Sequence, residues 1–87
     1  MADLHLPATL LPLFRDLPRR LDVDAATVAE AIEQLDERWP GLRDRLCEEG
    51  PMLRTHIHVY VDRERAGLDT ALAEGSRIDV IAAISGG

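Results

Sequence analysis

One apolar stripe does most to limit what this chain can fold into. Val28, Ile32, Leu35 and Trp39 recur at i, i+4, i+7 and i+11, the period of a helix buried along one side. Thr27-Val28-Ala29-Glu30 fits a capping box: a hydroxyl at the N-cap and a carboxylate three residues on, each able to satisfy an orphan backbone N–H. Pro40-Gly41 ends the periodic stretch. The spacing therefore predicts a helix over Thr27 to Trp39. Glu33, Asp36, Glu37 and Arg38 fall mostly on its other face, read most simply as solvated surface. Leu42 and Leu46, four apart, predict one further helical turn before a loop at Glu48-Glu49-Gly50-Pro51. A lone amphipathic helix cannot bury its stripe by itself, but a sheet curled around it can.

The remaining segments supply that sheet. Ala2 to Leu6 alternates, with Leu4 and Leu6 on one side and Asp3 and His5 on the other, the period of a half-buried strand. After an apolar turn or short helical segment at Leu10-Leu11-Pro12-Leu13-Phe14, interrupted by Pro12, Arg19 to Asp24 alternates again through Leu21 and Val23. These two strands pair as an elaborated hairpin. His56 to Asp62 is the strongest strand, with Ile57, Val59 and Val61 opposed to His56, His58 and Tyr60. Arg63 to Gly67 reads as a charged turn, Leu68 as a short strand piece, and Thr70 to Glu74 as a single helical turn stopped by Gly75. Ile78 to Ala83 is the last strand, placing Ile78, Val80 and Ala82 on one face and Asp79, Ile81 and Ala83 on the other. The order predicts an α+β domain over residues 1–83, a mixed four- to five-stranded sheet curled around one main helix, followed by a flexible tail over 84–87. With Phe14, Trp39 and Tyr60 its only aromatics, the core must be aliphatic.

Charge and cysteine content exclude several roles. A net charge of −6 argues against nucleic acid or an anionic membrane as main partner, since both need a positive footprint. All ten basic side chains are arginine, so the chain has no lysine amine on which to build lysine-linked chains of itself. Cys47 is the single cysteine and cannot form an intramolecular disulfide. Without an apolar run near 18 residues or a signal-type start, the expected location is the cytoplasm.

The sequence finishes on Ile84-Ser85-Gly86-Gly87. At average glycine usage two such terminal glycines arise by chance roughly half a percent of the time. Glycine lacks a Cβ, so a diglycine end is thin and can thread a narrow enzyme channel to present its carboxylate. The plainer alternative is a frayed end without a role.

Taken with the element order, this ending resembles the ubiquitin-like β-grasp fold, and within it the small sulfur-carrier proteins of the MoaD/ThiS family. Leu4-His5-Leu6-Pro7-Ala8-Thr9-Leu10 is similar to that family's first strand and turn, and Thr27-Val28-Ala29-Glu30-Ala31-Ile32 to its helix start. His56-Ile57-His58-Val59-Tyr60-Val61-Asp62 is similar to its third strand, and Leu72-Ala73-Glu74-Gly75-Ser76-Arg77-Ile78 to its approach to the end. Ala82-Ala83-Ile84-Ser85-Gly86-Gly87 resembles the terminal motif, with alanines where the family commonly has one or two prolines. The long stretch from Pro40 to Thr55 is most similar to the branch that carries sulfur for cysteine synthesis.

That resemblance implies a protein cosubstrate without catalytic side chains. A partner E1-like enzyme of the MoeB/ThiF kind, using its own ATP and Mg²⁺, would adenylate Gly87. A sulfur donor would then displace AMP, and the resulting thiocarboxylate would deliver sulfur to a biosynthetic acceptor enzyme, for cysteine, molybdopterin, thiamine or a specialised metabolite. Gly86 would give clearance, and Ser85 and Ile84 would seat the tail. The outer sheet face, carrying His5, His58, Tyr60 and Ile81, would dock the partner. Two alternatives stay open: a ubiquitin-like protein modifier, and a non-catalytic β-grasp interaction domain.

Other signals carry less. His56 and His58 have a spacing that can seat a metal, but no third ligand is evident, and no metal site is expected. Cys47 beside Glu48 and Glu49 should have a raised pKa and low reactivity. No phosphate-cradling glycine loop, serine triad or zinc-knuckle spacing is present.

Overall fold

The computed structural model describes residues 1–83; the predicted tail, Ile84 to Gly87, lies outside the described residues. In chain order the elements are β1 (Ala2–His5), a 3₁₀ segment (Ala8–Leu13), β2 (Arg20–Val23), α1 (Val28–Arg38), α2 (Leu42–Leu46), β3 (Cys47–Glu48), β4 (Met52–Leu53), β5 (Ile57–Val61), β6 (Glu64–Ala66) and β7 (Arg77–Ala82). Five strands form one mixed sheet in the order β2-β1-β7-β5-β6. Strands β1 and β7 are parallel at its centre, with Leu4 opposite Ile78. The flanking pairs are antiparallel, Leu4 facing Leu21 across β1/β2 and Val59 facing Val80 across β5/β7. This is the ubiquitin-like β-grasp fold.

The alternation read from the sequence places the core. Ala2, Leu4, Leu6, Val23, Ile57, Val59, Ile78 and Val80 are buried with Val28, Ala31, Ile32 and Leu35 of α1 in one aliphatic cluster. Helix α1 starts where the capping box predicts: Thr27 Oγ1 accepts from the Glu30 N–H at 3.2 Å. Trp39 is half-buried at the other end, its indole N–H donating to the Arg15 carbonyl at 3.2 Å. Gly41 adopts φ +96°, a left-handed turn glycine permits, and leads into α2. Leu42 and Leu46 of α2 are fully buried, each stabilising the fold by about 1.5–3 kcal/mol.

Four local readings are corrected. The loop around Glu48–Pro51 is the tip of a small hairpin, with Cys47 paired to Leu53 and Glu48 to Met52. The short strand after β5 is Glu64–Ala66, not Leu68: Asp62 and Arg63 take positive φ and turn the chain back at once. Thr70–Glu74 is not helical. Its neighbourhood is used by α1 instead: the Val28 and Ala29 N–H groups donate to the Thr70 and Leu68 carbonyls at 3.1 and 2.9 Å, and Ala71 forms a bridge with Thr27. The backbone that could have closed a helical turn therefore satisfies the orphan donors at the start of another helix. Finally, Pro12 does not interrupt the segment after β1; it sits inside the 3₁₀ segment.

Candidate functional site

The alternation of β7 and β5 brings the predicted docking residues onto one outer face, and their cross-strand partners divide that face in two. His5 of β1 lies opposite Asp79 of β7, which lies opposite Tyr60 of β5. Two registers toward the tail, Ile81 lies opposite His58. Only the first row is built into a charge network. Arg20 donates twice to the Asp3 carboxylate, at 2.8 and 3.0 Å, and the His5 ring lies 3.0 Å from the same carboxylate. These partners, Arg20 first and His5 second, hold the Asp3 carboxyl below the usual carboxylate range. Next to it, Arg77 donates to Asp79 at 3.0–3.2 Å. Tyr60 receives the Arg65 guanidinium 6.0 Å above its ring.

The tail-ward row has no such network. Ile81 is 46% exposed, and the His58 Nδ1 atom is buried without a hydrogen-bond partner among the described residues. A buried polar atom left unpaired costs about 1–3 kcal/mol, and with no exposed surface this nitrogen is out of reach of a docking partner. His5, His58, Tyr60 and Ile81 thus share a face as predicted, but His5 is already engaged, while His58 and Ile81 are not. Gly87, Gly86, Ser85 and Ile84, the predicted sulfur-carrying and tail-seating residues, lie outside the described residues.

The chain leaves the sheet at Ala83, whose N–H donates to the His56 carbonyl at 2.7 Å. Beside this exit, on the edge next to the 3₁₀ segment, lies a depression of about 510 Å³ lined by Thr9, Leu10, Leu13, Arg45, His56, Ile57, Ala82 and Ala83. Sequence reasoning does not find it, because Leu13, Arg45 and Ala83 are brought together only by tertiary packing. His56 itself precedes β5 rather than belonging to it, and is exposed. Strand β5 itself thus carries only His58 of the pair. Among the described residues no three His, Cys, Asp or Glu side chains converge as a metal site.

Cys47 lines a separate cleft of about 500 Å³ with Ala29, Ile32, Arg43, Arg54 and Leu68. Its thiol pKa is raised as predicted, but chiefly by burial. Arg43 and Arg54 pull it back, and the acidic groups that add to it are Glu33 and Asp44 rather than its neighbours Glu48 and Glu49. A buried, protonated thiol is a poor nucleophile.

The mixed sheet, its outer face and the chain exit at Ala83 together define a class of protein. The class is that of the small ubiquitin-like carrier and modifier proteins, which are not themselves catalysts. Residues 13–87 match the ThiS family, and the chain belongs to it. It is 36% identical to small archaeal modifier protein 1 of Haloferax volcanii over 69 residues, 78% of this chain and 79% of that protein. Among solved structures it is similar to a chain of the Amycolatopsis orientalis BexX/CysO complex, with a TM-score of 0.86, 27% identity and complete coverage of both chains. The Mycobacterium tuberculosis CysO structure shares the fold at a TM-score of 0.84 and 23% identity, over 97% of this chain and all of that one. No helix among the described residues is long and apolar enough to cross a membrane.

Proposed function

We propose that this protein is a cytoplasmic sulfur carrier whose reactive group is the α-carboxylate of Gly87. The observation that carries this reading is the match to the ThiS family running through residue 87, over a sequence that finishes on Gly86-Gly87. A carboxylate is too poor an electrophile to take up sulfur directly. An E1-like enzyme of the MoeB/ThiF kind would let a Gly87 carboxylate oxygen attack the α-phosphate of Mg-ATP and expel pyrophosphate. Sulfide attack on the acyl carbon then expels AMP and leaves a thiocarboxylate, a nucleophile able to pass its sulfur to an acceptor enzyme. The likeness to a CysO chain crystallised with BexX supports a receiving enzyme that binds the carrier directly. Gly86 keeps the carbonyl open to attack, Ser85 and Ile84 seat the tail, and Ile81 with His58, flanked by Tyr60 and His5, forms the docking face.

Intact mass tests this. Incubation with ATP, sulfide and an extract of the source organism should add the mass difference of one sulfur for one oxygen, and a chain lacking Gly87 should add nothing. No gain in an extract that loads a known carrier would overturn the reading.

The similarity to a small archaeal modifier protein favours one other reading, conjugation of Gly87 to lysines of other proteins. It shares the adenylation step and differs in product: high-mass conjugates in place of the mass gain. The lysine-free chain could not be its own acceptor side chain. A plain interaction domain would give neither product and would tolerate loss of Gly86 and Gly87.

A further inference from the structure

We infer that the depression at the tail root is a second docking surface, which seats an apolar side chain flanked by a carboxylate on the channel rim of the adenylating enzyme. The inference rests on the proposed activation of Gly87 and deepens it.

The first argument is tether length. On the proposed reading Gly87 carries the reactive carboxylate, and the four residues from Ile84 to Gly87, fully extended, span at most roughly 14 Å. An enzyme that brings its catalytic centre to the Gly87 carboxylate must place its surface within that distance of Ala83. Whatever surrounds Ala83 therefore faces the rim of the channel. Ile81 and His58 lie on one side of the exit; Leu10, Leu13, Ala82, Arg45 and His56 lie on the other.

The second argument is where apolar surface is left uncovered. Large hydrophobic residues exposed among the described residues are Met1, Leu13, Met52 and Ile81. Met1 lies just before β1 and Met52 belongs to the β3/β4 hairpin, neither of them lining the depression. The other two flank the tail exit from opposite sides, Leu13 being 50% exposed. Two such residues astride the one segment that must enter a partner form a collar, and burying them stabilises only the engaged complex.

The third argument is charge. In a chain of net charge −6, the wall beside Leu13 carries Arg45, which is exposed and makes no ion pair among the described residues. His56 stands beside it, and the adjoining hollow adds Arg54 and Gly41 with Asp44 as its acidic member. An apolar knob next to a carboxylate matches this wall: Leu13 and Leu10 take the first, Arg45 the second.

The test is the initial rate of the sulfur-for-oxygen mass gain in extract with ATP and sulfide, for the parent, Leu13→Ser, Arg45→Glu and Met52→Ser. Leu13→Ser should load at least about tenfold more slowly, the loss typical of a buried interface anchor. Arg45→Glu should load more slowly at low salt, with the gap narrowing as salt screens the pair. Met52→Ser, an equally exposed apolar residue that does not line the depression, should load at the parent rate. Thermal melts should match the parent, since the changed side chains are exposed. Parent-like loading by both Leu13→Ser and Arg45→Glu would overturn the inference while leaving the carrier reading intact. A parent that gains no mass in a competent extract removes the carrier reading, and this inference with it.

Discussion

The two ends of the outer sheet face use the same strands to opposite effect. At the end away from the tail, Asp3, His5 and Arg20 complete one another, and Arg77 pairs with Asp79 two residues along the same strand. At the tail end, Ile81 is left exposed and His58 keeps a buried nitrogen without a partner among the described residues. One end has met its interaction needs within the chain; the other leaves the apolar Ile81 uncovered. Exposed ion pairs contribute little to stability, so the first end adds mainly a fixed arrangement of charges at the flank of the proposed docking face. The proposed docking face is centred on the row whose apolar side chain the chain itself leaves uncovered.

The changes that bear on this contrast differ widely in size. Gly87→Val should abolish the mass gain altogether and leave the melting temperature unchanged, since it acts on the reactive end and not on either row. Normal loading of that variant would sink the carrier model. Ile81→Asp places a charge in the unsatisfied row, and its ability to compete with the parent for loading should fall about tenfold. If competition were unaltered, the tail-ward row would not be a docking surface. Thr27→Ala removes the cap of α1 at a cost of about 1 kcal/mol, which should lower the melting temperature while the loading rate per folded molecule stays at the parent value. This variant separates loss of stability from loss of docking.

The smallest effect belongs to the satisfied end. Asp3→Asn should load normally and lose a modest increment of stability that depends on pH. Because the folded-state pKa of Asp3 is lowered by Arg20 and His5, its contribution is fully present above the unfolded carboxylate value, about pH 4, and is lost as pH falls through the folded value. The melting temperatures of parent and variant should therefore differ at neutral pH and converge in acid. A gap that widened on acidification would contradict the assignment.

What was legible in the sequence was what repeats. The period-3.6 stripe of α1 and the period-2 runs of β1, β2, β5 and β7 each bury one face, and burial writes itself into side-chain spacing. What failed to show was held by backbone. Strand β6 is Glu64-Arg65-Ala66 at a sheet edge, where solvent permits charge and no alternation is imposed. Its turn runs through Asp62 and Arg63 at positive φ without the glycine that usually announces such a turn. The non-helical path through Thr70 is set by α1, more than forty residues away in sequence, and no local propensity records that demand. For the site, that His5, His58, Tyr60 and Ile81 share one face followed from alternation alone. The tail-root depression did not, since it joins the 3₁₀ segment, α2 and the end of β7, three stretches whose proximity is a property of the fold.

The parallel pairing at the centre of the sheet also fixes an order in time. Strand β1 is synthesised first and β7 last of the strands, yet they are neighbours, and β5 reaches β1 only through β7. Until β7 has emerged, the hairpin of β1 and β2 and that of β5 and β6 are separate pieces, each too small to be stable by itself. The strand that joins them is the one that carries the tail. A nascent chain therefore cannot close the sheet, or set Ile81 opposite His58, before Arg77–Ala82 has been made, and completion of the body waits on the segment next to the tail.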